Sequence, residues 1–388
     1  MKLRRRKWIS VLEFISIATL LSLCILFVHL VHNSQDIGDQ TTILRSTSED
    51  FADFEAGKYR ELVSKLRARA ETYIALIESD QLLDDMVITR GVDGSHHDVC
   101  DSLLFSSLYF ISLNKLGYED LATKVWRAIE SSRTDRGWVR HPRCHSPPPS
   151  RDMMIGLVSA LTQRPDGYRE ILGQLIDQIG HENGYFGDGS IFVSYISPGV
   201  AEYLRQFARI EGHRNKELPN HLRKGFSTIE WSVAFTERGY RSHLHALSIW
   251  LELELESLIE AQSRRTRSVT NTIANWTNPF TPDRIYNQRL QYVAEELVSK
   301  DRKNLFFRYL RHTTAGAFTP KTAAPMMAEL LNLSQFPEDR LPNNCDRKAD
   351  YLWQRDSREY QTIDRHCSRV FSGVDFLWMA ALLLEAPH

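Results

Sequence analysis

The chain has 388 residues, 42% of them hydrophobic, and a formal net charge of -1, which is enough for one large core or two modest ones. With the basic Lys2, Arg4, Arg5, Arg6 and Lys7 and the carboxylate Glu13 set aside, the remainder carries about -5. That balance excludes a nucleic-acid partner gripped by a basic face, and it suits a neutral or cationic substrate.

Residues 1–7 read as a cytoplasmic tail and residues 8–32 as a transmembrane signal anchor. The apolar run from Trp8 to Val31 is about 36 Å long as a helix, sufficient to span a bilayer with some tilt. A cleaved secretory signal has an apolar core of about 7–15 residues and small residues at its cut. The longer run here, followed by His29-Leu-Val-His32-Asn33, favours an uncleaved anchor. The basic side stays in the cytoplasm, so the main domain is expected in a periplasmic, lumenal or extracellular space. Residues 33–57 are polar and aperiodic and read as a stem, and residues 58–388 as one helical domain.

Beyond the anchor the cysteines are Cys100, Cys144, Cys345 and Cys367. An even count in an oxidising compartment permits two disulfides, and nearness in sequence favours Cys100–Cys144 and Cys345–Cys367. No C-x-x-C pair, H-E-x-x-H, glycine-rich phosphate loop or G-x-S-x-G occurs, so neither metal nor cofactor is expected. Asn275-Trp-Thr277 and Asn332-Leu-Ser334 fit the glycosylation pattern.

Apolar periodicity predicts helices over 59–78, 103–116 with Gly117 as C-cap, 118–129, 150–161, 168–179 and 198–210, then a less regular one over 216–238. Helices over 242–262, 282–312 (one long or two joined), 321–331, 346–357 and 372–385 complete about twelve. Strand alternation is nearly absent, and Phe192-Val-Ser-Tyr-Ile is the best short candidate. Hairpins of alternately all-apolar and amphipathic helices suggest an (α/α)6-type toroid, inner helices against outer ones. An irregular bundle is the simpler alternative.

Polar residues crowd the starts of the more apolar helices. The clusters are His96-His97-Asp98-Val-Cys-Asp101, Arg140 to Asp152, Asn183 to Tyr195, Tyr240-Arg-Ser-His243-Leu-His245 and Ser372-Gly-Val-Asp375. In a toroid these starts share one rim, so Asp98, Asp101, Asp152, His243 and Asp375 would converge. Each also has a structural explanation. Asp98 and Asp101 have the spacing of an N-cap and its partner, Ser150 is a natural cap, Asp152 complements a helix dipole, and Asp188 between glycines suits a turn.

The hairpin rhythm, Gly137-Trp-Val-Arg-His141, Ser150-Arg-Asp-Met-Met154 and Ser372-Gly-Val-Asp-Phe-Leu-Trp378 together resemble the six-hairpin (α/α) toroid superfamily of glycosidases and polysaccharide lyases. The resemblance spans 59–385 and implies a carbohydrate cleft lined by Trp, Tyr, Asp and Arg. Hydrolysis would then draw its two carboxyl groups from Asp98, Asp101, Asp152 and Asp188. His97, Trp138, His141, Arg151, Tyr185, Tyr195, His243, His245 and Asp375 would contact an oligo- or polysaccharide. A lyase or epimerase would instead move protons with His141, His243 or Tyr195. A non-catalytic glycan-binding or scaffolding protein, with envelope or secretory-pathway partners, is the other reading. A Golgi-type glycosyltransferase matches in topology but lacks the nucleotide-binding α/β pattern.

Overall fold

A computed structural model describes residues 56–386, apart from 136, 147, 182–183, 187–193, 196–199, 201–202, 205, 209–210, 212–239, 267–281 and 355–365. The predicted anchor, nearly all of the stem, the 216–238 helix and Asp188 lie outside the described residues. Contacts along the chain divide it into two compact units, Met1–Tyr59 and Arg60–His388, and the fold is that of the second. No helix among the described residues is long and apolar enough to cross a membrane.

The helices are α1 (Ala56–Asp80), α2 (Ser102–Leu116), α3 (Glu119–Glu130), α4 (Arg151–Thr162), α5 (Tyr168–His181), α6 (Tyr240–Thr266), α7 (Pro282–Lys300), α8 (Leu305–Thr314), α9 (Pro320–Asn332) and α10 (Val374–Leu384). Helix accounts for 64% of the described residues, and their strands are two or three residues long, so the class is all-α as expected. The strands are hairpin ornaments on the connections. β1 (Leu82–Leu83) and β2 (Met86–Val87) flank Asp84 and Asp85, both at positive φ (51° and 63°), the geometry of a tight two-residue hairpin turn. β3 (Thr89–Gly91) lies between β4 (His96–His97) and β9 (Arg369–Val370), β5 (Arg133–Thr134) pairs with β6 (Gly137–Trp138), and β7 (Tyr185–Phe186) with β8 (Ser194–Tyr195). Of the predicted strand around Phe192, Ser194–Tyr195 is realised.

The helices differ in how completely they are buried. In α2 every residue from Ser102 to Leu113 is buried, in α4 every residue from Asp152 to Thr162, and in α10 every residue from Val374 to Leu383. By contrast α3 buries Ala122, Val125, Trp126, Ala128 and Ile129, a single stripe at helical spacing. Together with α6 and α8, which bury only part of their surface, α2, α4 and α10 pack in a closed cycle: α2 on α4, α4 on α6, α6 on α8, α8 on α10, and α10 back on α2. Trp250 of α6 meets Trp378 of α10 edge-on at 4.5 Å, and Phe306 of α8 lies 6.0 Å from the same Trp378 ring. At the last turn of α2, Lys115 closes the cycle by polar contact. Its ammonium lies 3.2 Å from Glu254 of α6 and 2.7 Å from Glu385 just past α10.

Caps set the boundaries. Gly117 ends α2 at φ 87°, as predicted, and lets the chain turn straight into α3. Asn304 starts α8 by accepting the N–H groups of Phe306 and Phe307 at 3.1 and 3.2 Å. Asp301 has meanwhile taken the N–H of Lys303, so the predicted run over 282–312 is two helices. At Gly373 (φ 71°), before α10, a Cβ would come within 2.9 Å of the Tyr73 ring.

The helix expected over 346–357 is not formed in its described part. Turns occupy that stretch, with one short 3-10 turn at Leu352–Gln354. The Asn343 side chain accepts the N–H groups of Cys345 and Asp346, and Asp346 takes the N–H of Asn343. Short polar side chains thus satisfy the donors that a helix would have used.

Candidate functional site

The segment 341–354 touches α2, α6, α8 and α10 near their starts, and Arg140 joins the loop before α4 to the turn before α2. Arg347 and Asp375 form a fully buried ion pair, with Nη1–Oδ2 at 2.5 Å and Nη2–Oδ1 at 3.1 Å. The Arg347 guanidinium lies between the Phe336 and Phe371 rings, 5.0 and 5.3 Å from their centres. It also donates to the Asp350 carbonyl at 2.8 Å. Asp375 further accepts the Leu352 N–H at 2.7 Å, and its own carbonyl accepts from Trp353 Nε1 at 2.7 Å. Trp353 in turn offers its carbonyl to the Asn304 side chain, at the head of α8. Tyr351 packs 4.9 Å from His243 in the first turn of α6 and 6.4 Å from Phe105 of α2.

The carboxylates gather beside this segment. Asp98 sits at φ 50°, in the left-handed region, and opens the 3-10 turn Val99–Asp101 that leads into α2. Pairing of β3 with β9 brings Arg369 alongside, and its guanidinium lies 3.3 Å from Asp98. Arg140 reaches across from the loop before α4. It donates to the carbonyls of Pro148 and Cys100 and stands 3.5 Å from Asp101. Asp152, in the first turn of α4, accepts from Ser150 Oγ, and its charge is felt at Asp101. Neither Asp98 nor Asp101 makes a side-chain cap bond to its helix, although their spacing suggested one. Their carboxyl groups face Arg369 and Arg140 instead.

Burial raises the Asp101 carboxyl, with the nearby charge of Asp152 adding to the rise and Arg140 opposing it. Asp350 is pushed up to about 6, first by burial and then by the charges of Asp101 and Asp98. A carboxyl group that keeps its proton toward neutral pH thus stands beside others that repel its ionisation. Such pairs are the raw material of acid/base catalysis. Asp350 is absent from the residues that the sequence pattern singles out. Asp346-Arg-Lys-Ala-Asp350 reads as part of a helix, whereas Pro342-Asn-Asn just before it is a legible turn signal.

The other predicted residues fall differently. Asp375 is saturated by Arg347 and backbone donors, so it braces the site from within. His141 is fully buried. Its Nδ1 accepts the Arg143 N–H and its Nε2 donates to the Leu83 carbonyl, while burial lowers its pKa. Trp138 is only 7% exposed, in the β5–β6 hairpin, where a sugar face would find little of its ring. His243 is buried against Tyr351, and His245 is half-buried on α6. Arg151 is exposed at the start of α4. His97 is half-buried with Nε2 3.0 Å from Ser95 Oγ. Tyr185 and Tyr195 are directly paired across β7 and β8.

Both expected disulfides are formed, Cys100–Cys144 with Cα atoms 5.5 Å apart and Cys345–Cys367 with 5.0 Å. Two such bridges are the chemistry of an oxidising, extracytoplasmic compartment. No protein family, curated protein or solved structure matches the chain.

Proposed function

We propose that this protein is a membrane-anchored carbohydrate-active enzyme of the (α/α)6 toroid type, a glycoside hydrolase acting on a cell-envelope or secretory-pathway glycan. The observation that carries the reading is that Asp350, held through its carbonyl by the Arg347 bound to Asp375 of α10, lies within the field of Asp101 at the head of α2. Asp101 makes no side-chain cap bond and faces Arg140 at 3.5 Å, and the proton affinity of Asp101 and of Asp350 is raised. Glycoside hydrolysis needs two such groups, one protonated at the leaving oxygen and one anionic to activate water or attack the sugar. Asp350 takes the acid role, because its rise is the larger. Asp101 takes the anionic role, with Arg140 beside it opposing protonation. Asp98, Asp152 and Arg369 complete the polar surround.

The closed cycle of α2, α4, α6, α8 and α10 inside, with α1, α3, α5, α7 and α9 as its amphipathic alternates, supports the toroid. Residues 200, 203–204 and 206–208 are helical, with Tyr203, Leu204, Phe207 and Ala208 buried, and would belong to a sixth inner helix. The predicted 216–238 helix would complete the outer six. The engagement of both His141 nitrogens counts against that residue as the base of a lyase or epimerase. The disulfides support an exported domain, which the basic tail and apolar run of the N-terminus would anchor.

A panel of oligo- and polysaccharides incubated with the full-length protein tests this, read by reducing-end release and by absorbance of unsaturated products. Reducing ends without unsaturation, lost in both Asp101→Asn and Asp350→Asn, are expected. Unsaturated products would replace the hydrolase with a lyase. Binding without turnover that survives both substitutions would make the rim a scaffold.

A further inference from the structure

The carboxylate rim is held by two kinds of fastening. Asp350 hangs from the buried Arg347–Asp375 pair, whose further bonds reach the backbone of Leu352 and Trp353. Asp98 and Asp101 have no such anchor. They ride on a three-residue 3-10 turn, beside a sheet whose strands are two or three residues long. Both disulfides attach here. Cys100 is the neighbour of Asp101, and its partner Cys144 lies in the loop that carries Arg140. Cys367 lies two residues before Arg369, the partner of Asp98, and its own partner Cys345 starts the segment leading to Asp350. Each bridge joins connections outside the helical cycle. Asp98 (φ 50°) and Cys367 (φ 46°) both hold left-handed backbone, which non-glycine residues keep only when their surroundings force it.

We infer that the two disulfides are the assembly switch of the rim. With four thiols the helical cycle and Asp350 stand in place, while the turn bearing Asp98 and Asp101 relaxes away. Bridge formation sets the two halves of the rim against each other. Each bridge forms as two thiols give two protons and two electrons to a donor disulfide, which leaves as a dithiol. A newly made chain in a reducing compartment thus carries the fold without a finished site, and export completes it. This rests on the reading of these carboxylates as the working groups, but its test does not depend on activity.

The full-length chain in detergent micelles is compared before and after dithiothreitol, which opens each bridge and ends as its own cyclic disulfide. Alkylation and mass spectrometry establish that both bridges are open, and amide hydrogen exchange reads the consequence. Amides of 96–101 and 366–370 are expected to exchange at least about tenfold faster, and those of α2, α10 and Leu352 to change by less than about threefold. Unchanged protection at 96–101 and 366–370 with both bridges open overturns the inference. So does equal loosening of α2 and α10, which would make the bridges staples of the whole fold. Cys100→Ser with Cys144→Ser, and Cys345→Ser with Cys367→Ser, open the bridges singly without reductant and are read by the same amides. A glycan panel that shows no turnover would remove the enzyme reading and leave this result standing.

Discussion

At Asp350, burial and the charges of Asp101 and Asp98 push the same way, raising the carboxyl from 3.8 to about 6. Between about pH 4 and pH 6 the folded chain holds a proton that the unfolded chain has lost, so this group makes stability fall as pH rises through that window. Above it the cost is constant, about 1–3 kcal/mol. Asparagine cannot ionise. Asp350→Asn is therefore expected to stabilise the protein by about 1–3 kcal/mol at neutral pH, with the gain vanishing below about pH 4. Denaturant melts across this range measure it, and a gain independent of pH would contradict the assigned cause. Activity on any substrate found should fall as pH rises past about 6, when the acid loses its proton. The Asp350→Asn variant should lose that limb along with most of its turnover.

Among the elements, the segment 341–354 does the joining that a helix could not. A helix would have satisfied its own backbone and left Asp375, Trp353 and the head of α8 without partners. Removing one side of the buried pair leaves an unpaired charge in the core. Arg347→Met is expected to cost about 3–5 kcal/mol, and addition of Asp375→Leu to return part of it, so the double variant falls well short of the sum. Chemical denaturation of the four proteins measures the coupling, and simple additivity would mean that the two charges do not depend on each other. At α8, Asn304→Ala removes two cap bonds and the tie to the Trp353 carbonyl. A loss of about 1–2 kcal/mol is expected, with Trp353 fluorescence reporting whether the 3-10 turn shifts as well.

On the scale of the whole molecule, stability comes from closing the cycle of α2, α4, α6, α8 and α10. Trp378 touches both Trp250 and Phe306, so Trp378→Ala opens a cavity shared by three helices. It is expected to cost about 3–5 kcal/mol and to lower the cooperativity of unfolding more than a comparable truncation in α3 or α5. For the exported topology, a C-terminal reporter that is active only in the cytoplasm should be silent. Activity there would refute it, and a mature chain beginning after residue 32 would refute only the uncleaved anchor.

The bodies of the helices were legible because a helix declares its buried faces at fixed spacing. Leu103 to Leu116 and Val374 to Leu384 read as inner helices, within a residue of their observed ends, and Tyr59 to Glu78 as an outer one, within a few residues of the observed Ala56–Asp80. Gly117 announced its own turn. The disulfide partners followed from an even cysteine count and from nearness along the chain. Where local and distant demands conflicted, the local reading failed. Residues 346–354 have helical composition, but Asn343 and Asp346 claim the backbone locally, and Arg347 is drawn to a carboxylate 28 residues away. The identity of the cap-like residues was likewise undecidable from spacing. Asp98 and Asp101 look like caps, and only the fold shows that their side chains do not cap. Sequence alone thus determined the helices and their apolar faces, because those depend on the nearest few residues. Which carboxylates stand together was decided by the tertiary structure. The charge of Asp101 acts on Asp350 because a field depends on distance in space, whatever the separation along the chain.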